Sequence, residues 1–272
     1  MIAVEIHKLV RSRRTWVTIL LIDALPTLVA VLLAITELGP RPGTGPAFLS
    51  AVLTDGTLFP LAALAIVLPL FLPIAVAITA GEAIAGEAQQ GTLRYLLIRP
   101  VGRTRLLVAK LVSLMCNVLV TILVVAITAY VVGVLLLGQQ DVATAGVTSV
   151  SGSQLSDQEL LMRTGLALTY AMLCMMGVAA IGLFLSTINE SPLGAALGTL
   201  AVLIASTLLL TLEAAEALQP YLPTRYWLAF VDLFRDPILW RDLQRGVLLQ
   251  VVYVAVFLGA AWANFMTKDV KD

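Results

Sequence analysis

Six apolar runs divide the chain, each long enough to cross a bilayer as a helix. A helix needs about 20 apolar residues to span the hydrocarbon core, where it must satisfy its backbone polar groups internally. The runs are residues 16–34, 58–80, 111–140, 164–187, 193–212 and 246–265. Asp23 and Pro26 interrupt the first, and the second carries Pro60, Pro69 and Pro73. The third exceeds what a bilayer requires, so it should tilt or project. Only 12% of the residues are charged, about half the share of an ordinary soluble domain. The expected fold class is therefore all-α, a polytopic membrane protein with six transmembrane helices. The formal net charge is zero, which gives no reason to expect nucleic acid as a partner.

Lys and Arg set the direction of insertion, because they accumulate on the cytoplasmic side. The N-terminal tail holds Lys8, Arg11, Arg13 and Arg14. The second connection holds Arg94, Arg99, Arg103, Arg105 and Lys110, and the C-terminal tail holds Lys268 and Lys271. With these inside, the cytoplasmic face carries eleven of the 17 bases. Segment 213–245 places four bases outside, but it is long and carries five acids of its own. Both termini are expected in the cytoplasm of a plasma (inner) membrane protein. A basic start before an apolar run also suits a secretory signal. The first run is longer than an ordinary signal core and no small-x-small cleavage pattern follows closely, so an uncleaved span is expected.

The connections carry local signals. In MIAVEIHKLVRSRR, Ile2, Ile6 and Leu9 follow helical spacing, which predicts an amphipathic interfacial helix over 1–14. His7, the only histidine, belongs with that interface. Residues 39–46, GPRPGTGP, read as a stiff turn-rich loop. Segment 139–156 is polar and reads as flexible; it closes on Ser156-Asp157-Gln158-Glu159, a capping box for the fourth helix. Ser191 and Pro192 open the fifth helix as N-cap and first helical residue. In segment 213–245, Trp227, Phe230, Val231 and Phe234 recur at helical spacing. This amphipathic segment reads either as an aromatic belt at headgroup level or as an outer gate formed by Trp227, Phe230 and Phe234.

Chemistry is sparse. No DDxxD or HExxH pattern occurs, and Cys116 and Cys174 lie inside apolar runs without metal-ligand spacing. They read as buried structural thiols. A P-loop places a lysine directly after glycine, whereas the four lysines here follow His7, Ala109, Thr267 and Val270. The chain is thus expected to hold no cofactor and to be no enzyme. Asp23 is the one charge well inside a span. It reads equally as a functional intramembrane acid and as a structural acid beside Pro26. Gly194 and Gly198 form a GxxxG in the fifth run, which allows close helix packing in a dimer seam or within the chain.

Segment 81–110 concentrates the charge between two greasy runs. A helix is predicted over 83–98, with Leu93, Leu96 and Leu97 on one face and Glu82, Glu87 and Arg94 at polar positions. Gly91 interrupts it, Arg99-Pro100 ends it, and Arg103 and Arg105 enter the next helix. Glu87-x-x-x-Gly91-Thr92-Leu93, followed by Leu96-Leu97, Pro100, Arg103 and Lys110, resembles the cytoplasmic pattern of type 2 ATP-binding-cassette (ABC) export permeases. The six-span layout, the N-terminal helix and the segment before the last span agree with that family.

The resemblance implies a single permease domain over 1–272, with 81–110 as a coupling helix that docks on a separate P-loop ATPase subunit. Glu82, Glu87, Gly91, Thr92, Leu93, Leu96, Leu97, Pro100 and Arg103 are the implied coupling residues. It also implies a second permease subunit, identical or homologous, in the lipid bilayer, with ATP and Mg on the partner ATPase. Apolar walls favour a lipophilic or amphipathic cargo. The other readings are a permease that transmits mechanical work to a periplasmic partner, an ATPase-independent carrier, and a membrane enzyme using Asp23 and Asn117.

Overall fold

The computed structural model describes residues 7, 11–36, 56–91, 102–137, 147–148 and 154–267. Helix α1 spans Arg13–Thr36 and contains Pro26. The amphipathic helix expected over 1–14 falls mostly outside the described residues.

The second apolar run is not one helix. A 3₁₀ turn, Gly56–Leu58, leads into α2, Phe59–Val67, and α3 begins only at Phe71 and runs to Gly81. Proline explains the break. Pro69 has no N–H to donate, and its ring crowds the carbonyl four residues earlier. Leu70 accordingly leaves helical geometry, with φ −132° and ψ −58°. Pro60 and Pro73 lie in the first turns of α2 and α3, where the missing donor is not needed. The membrane-length helix here therefore covers Phe71–Gln89, and Gly56–Val67 is a shorter apolar piece. Phe59, Leu61, Ala63, Leu64 and Val67 are all buried, so α2 is core rather than lipid-facing surface.

Beyond Gly81, α3 continues through a π turn, Glu82–Gly86, and a last α turn, Glu87–Gln89. It stops at Gly91, whose φ of +67° is left-handed. Glycine adopts that conformation without penalty and commonly closes a helix there. The helix predicted to run through Gly91 thus ends at it. Thr92, Leu93, Leu96, Leu97 and Pro100 lie outside the described residues.

Helix α4, Arg103–Leu137, begins eight residues before the third apolar run. At 1.5 Å per residue it is about 52 Å long, well beyond the hydrocarbon thickness. Helix α5, Asp157–Ile188, opens with the expected capping box: Glu159 N–H donates to Ser156 Oγ, and Ser156 N–H donates to the Glu159 carboxylate. Before it, Val147–Thr148 pairs antiparallel with Gln154–Leu155, so the described part of that polar connection is a short ladder. Helix α6, Pro192–Thr211, is capped by Ser191 as expected. Helix α7 covers Trp240–Thr267.

Helix α5 is the axis. It touches α3, α4, α6 and α7, while α1 packs on α4 and α2. Two thirds (67%) of the membrane window of α5 is buried, against 17% for α7 and 22% for α1. The three inner helices meet through small residues. A Cβ on Gly81 would lie 2.7 Å from the Pro192 carbonyl oxygen, and one on Gly182 would lie 2.6 Å from the Ala80 Cβ. Close backbone approach of this kind is how membrane helices gain van der Waals contact without a hydrophobic driving force.

Candidate functional site at the charged end of the bundle

The N-terminus of α1, the end of α3, the start of α4 and the end of α7 meet at one end of the bundle. Here Glu87 and Lys110 form an ion pair with side chains only 10% and 6% exposed. Burial of both charges makes the pair costly to break, since either partner alone would stay desolvated. Glu82 lies 3.5 Å from Arg14 at the rim, where both side chains are at least half exposed and solvent weakens the attraction. A cleft of about 520 Å³ opens between α1, α3 and α4, lined by Arg14, Glu82, Glu87, Lys110, Ser113 and Asn117.

The π turn has an identifiable cause. Ser186 of α5, fully buried, accepts from the N–H groups of Ile84 (3.1 Å) and Ala85 (2.9 Å). Its own hydroxyl donates to the Gly81 carbonyl at 2.8 Å. A side chain inserted into the helical ladder widens it locally. On the other side of the same end, Arg103 donates to the carbonyls of Phe265 (3.1 Å) and Met266 (2.9 Å). Both carbonyls lie in the last described turn of α7. Trp262 Nε1 donates to Thr104 Oγ1 at 2.9 Å, and Asn264 Nδ2 to Thr187 Oγ1 at 3.0 Å. The starts and ends of four helices are thereby joined by side chains.

At the opposite end, segment 213–239 forms a cap. Trp227–Phe234 is a 3₁₀ helix, not an α-helix. Its threefold period aligns Trp227, Phe230 and Leu233, which are buried together with Phe234. Leu233 is buried on the inner face while Val231 packs only partly buried against the same core, a difference the α-helical spacing could not foresee. The four side chains join the hydrophobic core; Tyr221 is the exposed aromatic of the segment. Arg163 of α5, 7% exposed, donates to the carbonyls of Leu233 (3.0 Å) and Arg235 (3.1 Å).

The remaining expected residues fall elsewhere. Asp23, half-buried in α1, accepts a hydrogen bond from Thr128 of α4. Gly194 faces only the Ser191 cap and Asn189, and Gly198 faces Leu185 of the same chain. The tight contacts of α6 run instead through Pro192 and Ala196 against Gly81, and through Thr199 against Gly182. Cys174 is buried as expected, while Cys116 is partly exposed; both are free thiols. Sequence reasoning did not single out Ser186 or Arg163. A serine near the end of an apolar run carries no signal of its own, but Arg163 was the lone base between two uncharged stretches.

Among the described residues, six membrane-length helices, the most buried of them α5, define a multi-pass membrane protein. The model of the ABC-2 family transporter protein matches residues 1–206, and the chain belongs to that family. It is a permease subunit of an ABC transporter, a class that associates with an ABC ATPase. No curated protein matches the chain.

Proposed function

We propose that the protein is the membrane subunit of an ATP-driven exporter in the plasma membrane, with the charged end and both termini in the cytoplasm. ATP and Mg are held by a separate P-loop ATPase subunit, and this chain hydrolyses nothing itself. A second permease subunit, identical or homologous, completes the transporter. The cargo is lipophilic or amphipathic.

The observation that carries this reading is the joint at the charged end. Glu87–Lys110 ties α3 to α4, Arg103 ties α4 to α7, and Ser186 ties α3 to α5. A force applied near residues 82–103 is therefore delivered to four helices as one body. Rigid-body coupling requires such a joint without slack. Closure of the ATPase subunits would press the two joints together and rock the helices. The cap at the other end moves with α5, α6 and α7, so the exit path opens between subunits rather than through the cap.

The test is to purify the chain from its host in mild detergent and identify what accompanies it. A P-loop ATPase in matching amount is expected, and its reproducible absence overturns the reading. In that complex, Glu87→Ala and Arg103→Ala should leave membrane insertion intact while uncoupling ATP hydrolysis from transport. Normal coupled transport by both variants at normal expression would remove the joint from the mechanism.

A further inference from the structure

We propose that Ser186 is a positioning residue that sets the rotational register of the end of α3, and with it the seating of Glu87 on Lys110. Ser186 lies on a different helix from both members of that pair. In an unbroken α-helix the Ala85 N–H would bond the Gly81 carbonyl, four residues back. The Ser186 hydroxyl bridges these two groups, accepting from Ala85 and donating to Gly81, and accepts from Ile84 as well. One accepted pair and one donation use the full capacity of a hydroxyl.

A π turn holds one residue more than an α turn. Without the hydroxyl, the buried N–H groups of Ile84 and Ala85 need other acceptors. Backbone carbonyls supply them only if the turn closes to α geometry. Closing it turns everything beyond by about 100°, the rotation per helical residue. The start of the turn cannot take up that rotation, because Gly81 is pressed against the backbone of Pro192 and Ala196. Residues 87–91 must turn instead, and Glu87 leaves Lys110. The consequence for transport rests on the function proposed above; the register itself does not.

The experiment is amine acetylation of the complete complex in lipid nanodiscs, read at Lys110 by mass spectrometry. Wild-type Lys110, buried and ion-paired, is expected to label slowly. Ser186→Ala should raise its labelling by about tenfold, the factor set by loss of roughly one to two net hydrogen bonds. Ser186→Thr, which keeps the hydroxyl, should restore protection. Cys174, fully buried on the same helix, reports global opening: it should stay silent to maleimide throughout. If Ser186→Ala exposes Cys174, then Ser186→Cys, which keeps volume but weakens the relay, must give intermediate Lys110 labelling with Cys174 silent. Lys110 as protected in Ser186→Ala as in wild type, or equally labelled in the Ala and Thr variants, overturns the proposal. Increased labelling with fully coupled transport would leave the register role standing and sink its link to transport.

Discussion

At the capped end, five side chains reach from the helices into segment 213–239. Arg163 and Tyr170 of α5, Ser206 of α6, and Gln250 and Tyr253 of α7 bond Leu233, Tyr226, Thr224, Pro223 and Tyr221 respectively. Four of the five contacts end on backbone carbonyls, and the aromatic face below them is core. At the charged end the ties include an ion pair and a relay inside a π turn, beside Arg103 on carbonyls in the last described turn of α7. A cap held by many bonds to fixed carbonyls has no alternative partners to move to. An ion pair and a π turn each have a nearby second arrangement, since charges can re-pair and a π turn can close. The comparison makes the stiffness of the charged end depend on ties that a single substitution can switch, whereas the cap is held by several independent bonds.

The contrast can be broken at several points. Glu87→Gln should have the largest effect, because it leaves Lys110 buried without its charge partner; the expected loss is about 3–5 kcal/mol. Thermal unfolding in nanodiscs would measure it, and the double variant Glu87→Gln–Lys110→Met should recover much of it. If the double variant is no better than the single, the pair is not the joint. Arg163→Met strips two carbonyls of their donor, at about 2–3 kcal/mol. Hydrogen exchange should quicken across 227–235 and stay unchanged across 82–91. Simultaneous quickening at both ends would mean that the two are not independent. Tyr170→Phe removes one 2.7 Å bond to the Tyr226 carbonyl and should cost about 1 kcal/mol. The other tethers should hold the cap, and exchange should rise only around residue 226.

Much of this architecture was legible in the chain. Apolar run length located the membrane helices, because in lipid a backbone can satisfy itself only as a helix or a closed barrel. The caps at Ser156 and Ser191 were legible because their partners lie three residues away. The break at Pro69 was written in the sequence too, yet three prolines in one run left open which would act. Its position relative to the helix start decided that: Pro60 and Pro73 fall in first turns, and Pro69 does not.

What the site requires was less legible, because its partners are distant in sequence. Glu87 and Lys110 are 23 residues apart, Arg103 and Phe265 are 162 apart, and Ser186 is 101 from Ala85. Trp227–Phe234 packs on α5 and α7 as a 3₁₀ helix, whose threefold period buries Leu233 where α-helical spacing points to Val231.

By itself the sequence determined the solvent, the number of crossings and the local caps, since these depend on composition and on neighbours within a few residues. Only the tertiary structure decided that a serine of α5 enters the ladder of α3, that α2 is core, and that the cap is tethered. Each of those depends on which helices lie side by side. Small-residue contacts such as Gly81 on Pro192 settle that adjacency, and they carry no periodic signal along the chain.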